Sequence, residues 1–133
     1  MDLSIFMYDP DFVAQYFDDF GEREWTRLVN TPSDEVKLFI HSYYLREHVR
    51  NGDFVLDIGA GAGRFTQLLV DQGAAVIVAD ISRRQIELNK QYSEKFDFAH
   101  GVKDWLQMDI CNSDLYLLTN HQLELTHRMH RQQ

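Results

Sequence analysis

The first 50 residues place apolar side chains at helical spacing and predict two or three amphipathic helices. Apolar residues recur three and four positions apart along this region. The recurring residues are Phe12, Tyr16, Phe20, Trp25, Leu28, Val29, Val36, Phe39, Ile40, Tyr43, Tyr44 and Leu45. The sequence Thr31-Pro32-Ser33 interrupts the pattern, and we expect Ser33 to cap the helix that follows.

From residue 51 onward, short apolar runs alternate with helical segments. The turn Asn51-Gly52-Asp53 leads into an apolar strand at Phe54–Ile58. We then expect a helix over residues 64–72, a strand over 75–79, a helix over 83–96 and a third strand near 105–108. This alternation is typical of βαβ units. The sequence therefore predicts an α/β fold with a parallel sheet that is covered on both faces.

Composition and charge narrow the class of protein. The chain has 133 residues, of which 44% are hydrophobic, which is enough for one small globular domain. Its formal net charge of −8 repels nucleic acids and anionic membranes, so we expect neither as a partner. The sequence has no apolar run of about 18 residues, no pattern of a secretory signal and a single cysteine, Cys111. These features predict a cytoplasmic protein without an internal disulfide.

The stretch VLDIGAGAGRF, residues 55–65, carries the first candidate chemistry. Gly59, Gly61 and Gly63 alternate directly after an apolar strand, at a predicted strand-to-helix turn. Such a turn brings backbone N–H groups and the positive end of a helix dipole close to a ligand. Asp80 ends the next strand 21 positions after Gly59, where an acid can accept hydrogen bonds from both hydroxyls of a ribose. Together these features predict a bound nucleoside.

The residues around the glycines indicate which nucleoside binds. The dinucleotide fingerprint is G-x-G-x-x-G, whereas here Arg64 occupies the position of the third glycine. Asp57, two residues before Gly59, would repel a pyrophosphate and attract a cation. A sulfonium with an amino-acid tail is such a cation. These residues favour that ligand over NAD, so a nucleotide-dependent oxidoreductase is the less favoured interpretation.

The segments VLDIGAGAGRF and VIVADIS resemble motifs I and II of class I S-adenosylmethionine-dependent methyltransferases. The family pattern of an apolar strand, an acid, one residue and then Gly-x-Gly-x-Gly is met here in full. The resemblance implies that S-adenosyl-L-methionine is the cofactor and that Asp57 lies near its methionine moiety. It also implies that Gly59, Ala60, Gly61 and Gly63 form the floor beneath that moiety.

The same resemblance assigns four residues to the nucleoside. Asp80 would hold the ribose hydroxyls, and Ile81 would pack on the adenine. Asp109, in the stretch LQMDIC, stands where the family places an acid that accepts from the adenine amino group, and Ile110 would line the other side of the ring. The alternatives are that Asp80 is an ordinary acid near a helix N-cap and that Asp109 is a solvent-facing turn residue.

Other conspicuous residues have structural explanations. We expect several aromatic residues of the N-terminal region to pack in the core or cap rather than contact a cofactor. They are Tyr16, Trp25, Tyr43 and Tyr44. His121, His127 and His130 lack the further ligands that a metal site needs, and an exposed polar helix explains them better. We therefore predict no metal, and we assign no catalytic base or nucleophile.

The sequence resembles only part of the class I fold. The resemblance implies an N-terminal helical cap over residues 1–50, an incomplete Rossmann-like core over residues 51–119 and a polar C-terminal tail or helix over residues 120–133. The core would contain about three to four of the family's seven strands. Because an incomplete sheet leaves an apolar edge unpaired, we expect marginal stability, a partner chain or a homodimer formed through that edge.

The resemblance implies transfer of a methyl group from S-adenosylmethionine to a small-molecule acceptor. The alternative is a non-catalytic module that binds the cofactor but lacks the acceptor half of the site. Methyl transfer chiefly requires that acceptor and sulfonium are held close and aligned. A dedicated base is therefore optional.

Overall fold

The computed structural model describes residues 7–111, which form five α-helices and three β-strands. The helices are α1 (Pro10–Phe20), α2 (Arg23–Thr26), α3 (Pro32–His48), α4 (Arg64–Asp71) and α5 (Arg83–Lys95), with 3₁₀ turns at Arg27–Val29 and Ala99–Gly101. The strands are β1 (Phe54–Ile58), β2 (Ala75–Asp80) and β3 (Val102–Gln107). None of these helices is long and apolar enough to cross a membrane. The part of the predicted core beyond residue 111 and the predicted tail over residues 120–133 lie outside the described residues.

The strands form one parallel sheet in the order β1-β2-β3. Along β1 and β2 the register is regular, from Phe54 opposite Ala75 to Ile58 opposite Ala79. Because parallel strands end at the same edge, the loops that follow the three strands come together there. The predicted parallel, Rossmann-like sheet is confirmed, and within residues 7–111 it has three strands.

Both crossover helices pack on the same face of the sheet. Right-handed crossovers between strands that advance in one direction place their helices on one side. A buried cluster on that side joins Val76 and Val78 of β2 to α4 and α5. Its members are Leu69, Val70, Ala74, Val76, Val78, Ile86, Phe98 and Val102. Helices α4 and α5 therefore share one face of the sheet.

Two predicted element boundaries are wrong. The third strand begins at Val102 rather than near residue 105. Its start could not be recognised in the sequence because the polar residues Lys103 and Asp104 interrupt the apolar run. The cap of α3 is Thr31 rather than Ser33. The Thr31 hydroxyl accepts from the Asp34 N–H at 3.2 Å, and Pro32 takes the first helical position, where no N–H is needed.

Polar contacts dock α1 on the start of α5. Asp18 Oδ1 accepts from the Ser82 hydroxyl and from the Arg84 N–H. The fully buried Gln85 donates from Nε2 to two carbonyls at the end of α1, each at 3.0 Å. The N-terminal helices thus satisfy polar groups at the start of α5. The division of the chain into cap and core near residue 50 stays a prediction.

We expect Asp18→Ala to lower the free energy of unfolding by about 1–3 kcal/mol, because it removes the partly buried acceptor of Ser82 and Arg84. Asp19→Ala is the matched control, since the exposed Asp19 carboxylate accepts from Gln15 within the same helix. Its effect should stay within about 0.5 kcal/mol. Chemical denaturation measures both, and equal stability of the two variants would show that Asp18 does not hold α1 in place.

Candidate functional site

The glycine-rich loop leaves β1 and crosses the end of β2. The N–H groups of Gly59 and Ala60 both donate to the Ala79 carbonyl, at 2.8 and 3.2 Å. Gly63 has a φ of 106°, and a Cβ there would lie 2.9 Å from Asn89 Nδ2, so this position requires glycine. A Cβ at Gly59 would meet no atom within 4 Å. The loop is thus packed on one side and leaves space for a ligand at Gly59.

A buried polar network supports the loop. Thr66 Oγ1 donates to Asp57 Oδ2 at 2.7 Å, and Asn89 Nδ2 donates at 3.2 Å to both Thr66 Oγ1 and the Gly61 carbonyl. Asn89 Oδ1 accepts from Trp105 Nε1 at 3.0 Å. Thr66 and Asn89 are fully buried, where leaving a polar group unpaired is costly. The network therefore fixes the loop relative to β1, α4, α5 and β3.

Asp57 lies near the end of β1 and is partly buried. Burial raises the pKa of Asp57 from an ordinary 3.8 to about 6, against the opposing hydrogen bond from Thr66 and with a smaller contribution from the charge of Asp80. The fold alone thus disfavours the ionised form of Asp57. A cation bound nearby would stabilise the Asp57 carboxylate.

Asp80 ends β2 and is buried, with 7% of its surface exposed. Its Oδ2 accepts from the Gly61 N–H at 2.8 Å, and its Oδ1 accepts from the Ser82 N–H at 2.9 Å. Burial raises the pKa of Asp80, while these backbone hydrogen bonds lower it in part. The cap of α5 is Ser82, whose hydroxyl accepts from the Gln85 N–H. Asp80 therefore joins the glycine loop to the start of α5 and is not itself the cap.

Two adjoining cavities lie at this edge of the sheet. The larger has a volume of about 500 Å³, which is typical of small-molecule sites. Six predicted residues line it, namely Gly59, Gly61, Asp80, Ile81, Asp109 and Ile110. The smaller cavity, of about 170 Å³, is lined by Asp57, Gly59, Ala60 and Gly63 among others. The structure thus brings all nine predicted residues together around the two cavities, while their roles toward a ligand stay predictions.

Asp109 lines the larger cavity and is tied to the N-terminal segment. Its Oδ1 accepts from the Tyr8 hydroxyl at 2.7 Å and from the Cys111 N–H at 2.9 Å. The hydrogen bond with this carboxylate raises the pKa of Tyr8. Asp109 therefore both shapes a turn and lines the cavity, and its role toward an adenine stays a prediction.

Helix α1 supplies a wall of the larger cavity that the sequence did not reveal. The wall consists of Val13, Tyr16, Phe17 and Phe20. Tyr16 also packs against Phe17, with ring centroids 5.2 Å apart. Trp25 packs as expected, since it stacks on Phe96 at 5.0 Å between centroids. The apolar spacing of α1 is visible in the sequence, but which side chains face a cavity depends on where the helix docks.

Helix α2 and the turn after it place a charged pair where the two cavities meet. Glu24 Oε1 lies 3.1 Å from Arg27 Nη2, and both residues line both cavities. The Glu24 side chain is 15% exposed and that of Arg27 is 52% exposed, so the guanidinium retains access to a further anion. No motif marks this pair, because opposite charges three residues apart are common on helix surfaces.

Metal ligands are not clustered in the part of the chain that the structure describes. Within residues 7–111 no group of three or more His, Cys, Asp or Glu side chains could hold a metal ion. His121, His127 and His130 lie outside this range, so their interpretation stays a prediction. Cys111 is exposed.

Comparison with known proteins bears on the identity of this site. A family model described as a methyltransferase domain matches residues 55–133, more than half of the chain. The chain belongs to the methyltransferase domain family. The match begins at β1 and includes the glycine-rich loop, Asp80 and Asp109, so the resemblance to class I methyltransferases is confirmed. No curated protein matches the chain significantly.

Solved structures of methyltransferases have a similar fold. The magnesium protoporphyrin IX methyltransferase of Synechocystis, crystallised with SAM, aligns with a TM-score of 0.61 and 18% identity over 80% of this chain and 57% of that one. The phosphoethanolamine N-methyltransferase 1 of Haemonchus contortus, in complex with phosphoethanolamine and S-adenosylhomocysteine, aligns with a TM-score of 0.58 and 22% identity over 78% of this chain and 22% of that one.

A protein of Clostridium thermocellum, provisionally assigned as an rRNA methylase, aligns with a TM-score of 0.52 and 23% identity over 59% of this chain and 45% of that one. This methyltransferase-domain chain therefore spans about half the length, or less, of these solved structures. Likeness at such identities shows the fold, and the acceptor has to be argued from the site.

We expect Asp57→Asn to stabilise the methyltransferase domain at neutral pH. The pKa of Asp57 is about 6 in the folded chain and has an ordinary value of 3.8, so between these pH values the folded state binds more protons than the unfolded state. The free energy of unfolding therefore falls as the pH rises from about 4 to about 6. Asparagine carries no charge and keeps an oxygen for Thr66. The gain should be roughly 1–3 kcal/mol at pH 7 and near zero at pH 4.

Urea denaturation at pH 4, 5.5 and 7 measures this gain. Asp71→Asn, exposed at the end of α4, is the control. A gain of the same size at all three pH values would contradict the explanation by a buried charge.

Proposed function

We propose that the chain uses S-adenosyl-L-methionine to transfer a methyl group to a small-molecule acceptor. The observation that carries the proposal is the pair of adjoining cavities, with Asp80 on one and Asp57 on the other and Gly59 between them. A ligand suited to this arrangement has a ribose at one end and a cationic amino-acid group at the other. Membership of the methyltransferase domain family favours S-adenosylmethionine over a nicotinamide dinucleotide.

The larger cavity would hold the adenosine. Each Asp80 oxygen accepts one backbone N–H, and a carboxylate has about four acceptor sites, so it can also accept from two ribose hydroxyls. Ile81 and Ile110 would pack on the adenine, and Asp109 would accept from its amino group. The lining by these residues supports the assignment.

The smaller cavity would hold the methionine end. That group carries a sulfonium, an ammonium and a carboxylate, and the residues here offer charges of both signs. Asp57 and Glu24 would face the positive groups, and Arg27 would bind the carboxylate. Arg27 and Glu24 already pair at 3.1 Å, so the ligand would insert its own charges into an existing ion pair.

When bound, S-adenosylmethionine would supply a methyl group activated by its sulfonium. An acceptor nitrogen or oxygen would take that methyl in line with the carbon–sulfur bond, which would break with its electron pair left on sulfur. The acceptor would release its proton to solvent. The residues that line the two cavities would contribute the alignment of the acceptor with the methyl group.

Charge and lining support a small acceptor. A net charge of −8 disfavours an RNA or DNA backbone near the site. The cap side of the larger cavity is aromatic, which suits an organic molecule of moderate size. By their names, the Synechocystis and Haemonchus contortus enzymes act on such molecules. A cytoplasmic location, proposed from composition, accords with a soluble acceptor.

Calorimetric titration should show binding of S-adenosylhomocysteine and none of NAD. Arg27→Ala should weaken S-adenosylhomocysteine binding about tenfold or more, because a hydrogen bond between charged groups is worth about 1.5–3 kcal/mol. The same variant should bind 5′-methylthioadenosine as the unmodified chain does, since this ligand lacks the amino-acid end. Arg50→Ala, exposed before β1 and so at the opposite edge of the sheet, is the control.

Binding of NAD alone would overturn the assigned cofactor. An equal loss of affinity for both adenosine ligands in Arg27→Ala would assign that residue a structural role instead.

Methyl transfer is tested with radiolabelled S-adenosylmethionine and panels of small amines, hydroxyl compounds and carboxylates, with ribosomal RNA as a separate arm. We expect label in one small-molecule class and none in RNA. Label in RNA would overturn the acceptor class. Cofactor binding without transfer to any panel would favour a non-catalytic module.

A further inference from the structure

Helix α3 carries an apolar stripe on its outer face that nothing covers within residues 7–111. The stripe consists of Val36, Phe39, Ile40, Tyr43 and Tyr44. Each of these five residues has between 45% and 68% of its surface exposed to solvent. Single exposed apolar residues are ordinary, but five that share one face over about two helical turns form a continuous patch, and such patches mark interaction surfaces. We call this set the α3 stripe.

The fold already uses the other face of α3. Ser42 is buried there, and Leu38 and Leu45 are partly buried. His41 lies against Phe65 of α4, with ring centroids 5.6 Å apart. The α3 stripe is therefore left over after the helix has packed. None of its residues lines either cavity, so its exposure does not serve the proposed cofactor site.

Two charged residues make the α3 stripe complementary to itself. Glu35 and Arg46 are both exposed and stand 11 residues apart, which is close to three helical turns, so they lie along the same flank. Neither forms an ion pair with another described residue. Their midpoint is near Ile40, in the centre of the stripe. If two α3 helices pack antiparallel about a two-fold axis near Ile40, Glu35 of each copy faces Arg46 of the other.

We propose that the α3 stripe docks against the same stripe of a second copy of this chain, as an antiparallel helix pair. The pair buries the stripe and forms two equivalent ion pairs at its rim. This interface lies on α3, away from the sheet edge that the sequence suggested for a homodimer. It leaves both cavities open.

The charges of α3 disfavour a membrane as the alternative occupant. Helices that lie on membranes carry a polar face rich in Lys and Arg. Helix α3 instead has three acids, Asp34, Glu35 and Glu47, against the two bases Lys37 and Arg46. The chain as a whole carries a net charge of −8. An anionic bilayer would repel this surface, whereas a second copy presents the matching charge pattern.

Sedimentation velocity over a range of protein concentrations tests the interface. The unmodified chain should form a dimer, and Phe39→Ser should weaken it about tenfold or more, because burial of a phenylalanine is lost. Phe12→Ser is the matched control. Phe12 is 70% exposed against 68% for Phe39, lies on α1 and lines neither cavity. Circular dichroism checks that both variants stay folded.

Charge reversal tests the orientation. Glu35→Arg leaves two positive groups on each flank and Arg46→Glu leaves two negative ones, so each variant alone should dimerise less. An equimolar mixture of the two should dimerise more than either alone, and the double variant should recover the behaviour of the unmodified chain. Only reciprocal pairing between equivalent helices gives both recoveries.

Several outcomes would overturn the proposal. One is a monomer at every concentration. Another is a dimer that Phe39→Ser and Phe12→Ser weaken equally, which would place the contact elsewhere, such as at the sheet edge. A third is failure of the mixture to recover association. Binding of the unmodified chain to anionic vesicles with no dimer in solution would assign the stripe to a membrane instead.

Discussion

The carboxylate of Asp80 holds together the two turns on which the site depends. One oxygen accepts from the Gly61 N–H in the loop after β1, and the other accepts from the Ser82 N–H at the start of α5. Because the two turns share one buried anchor, the loop cannot move without breaking a charge-assisted hydrogen bond in a low dielectric. The buried Asn89 also holds the loop in place, because its Nδ2 donates a hydrogen bond to the Gly61 carbonyl. The loop is therefore preorganised before any ligand binds.

This anchoring has an electrostatic cost. Burial raises the pKa of both Asp57 and Asp80, and the Asp80 charge adds to the effect on Asp57. Asp18, which docks α1, adds a further negative charge near Asp80. The fold tolerates these acids because hydrogen bonds from backbone and hydroxyl groups offset part of the burial. The site therefore has an excess of negative charge, which favours a cationic ligand.

The sequence predicted the features of the site that arise locally. Gly63 needs its left-handed backbone whatever the rest of the chain does, and Asp80 reaches the loop because parallel strands end at the same edge. Tyr8 and Arg27 could not be predicted, because each reaches the cavities only through the docking of the N-terminal helices on the core. The shared face of α4 and α5 follows from the strand order. The alternation of elements in the sequence leaves that order open.

The docking of the N-terminal helices also couples ligand binding to stability. Both cavities are bounded by residues from two parts of the chain, with Glu24 and Arg27 on one side and Gly59 on the other. A ligand that touches both sides binds the folded state and not the unfolded one. At a concentration 100 times its dissociation constant, such a ligand adds about 2.7 kcal/mol to the free energy of unfolding. Asp18 and Gln85 form polar contacts between α1 and α5. A ligand that contacts both parts of the chain would therefore add to these contacts in holding the N-terminal helices on the core.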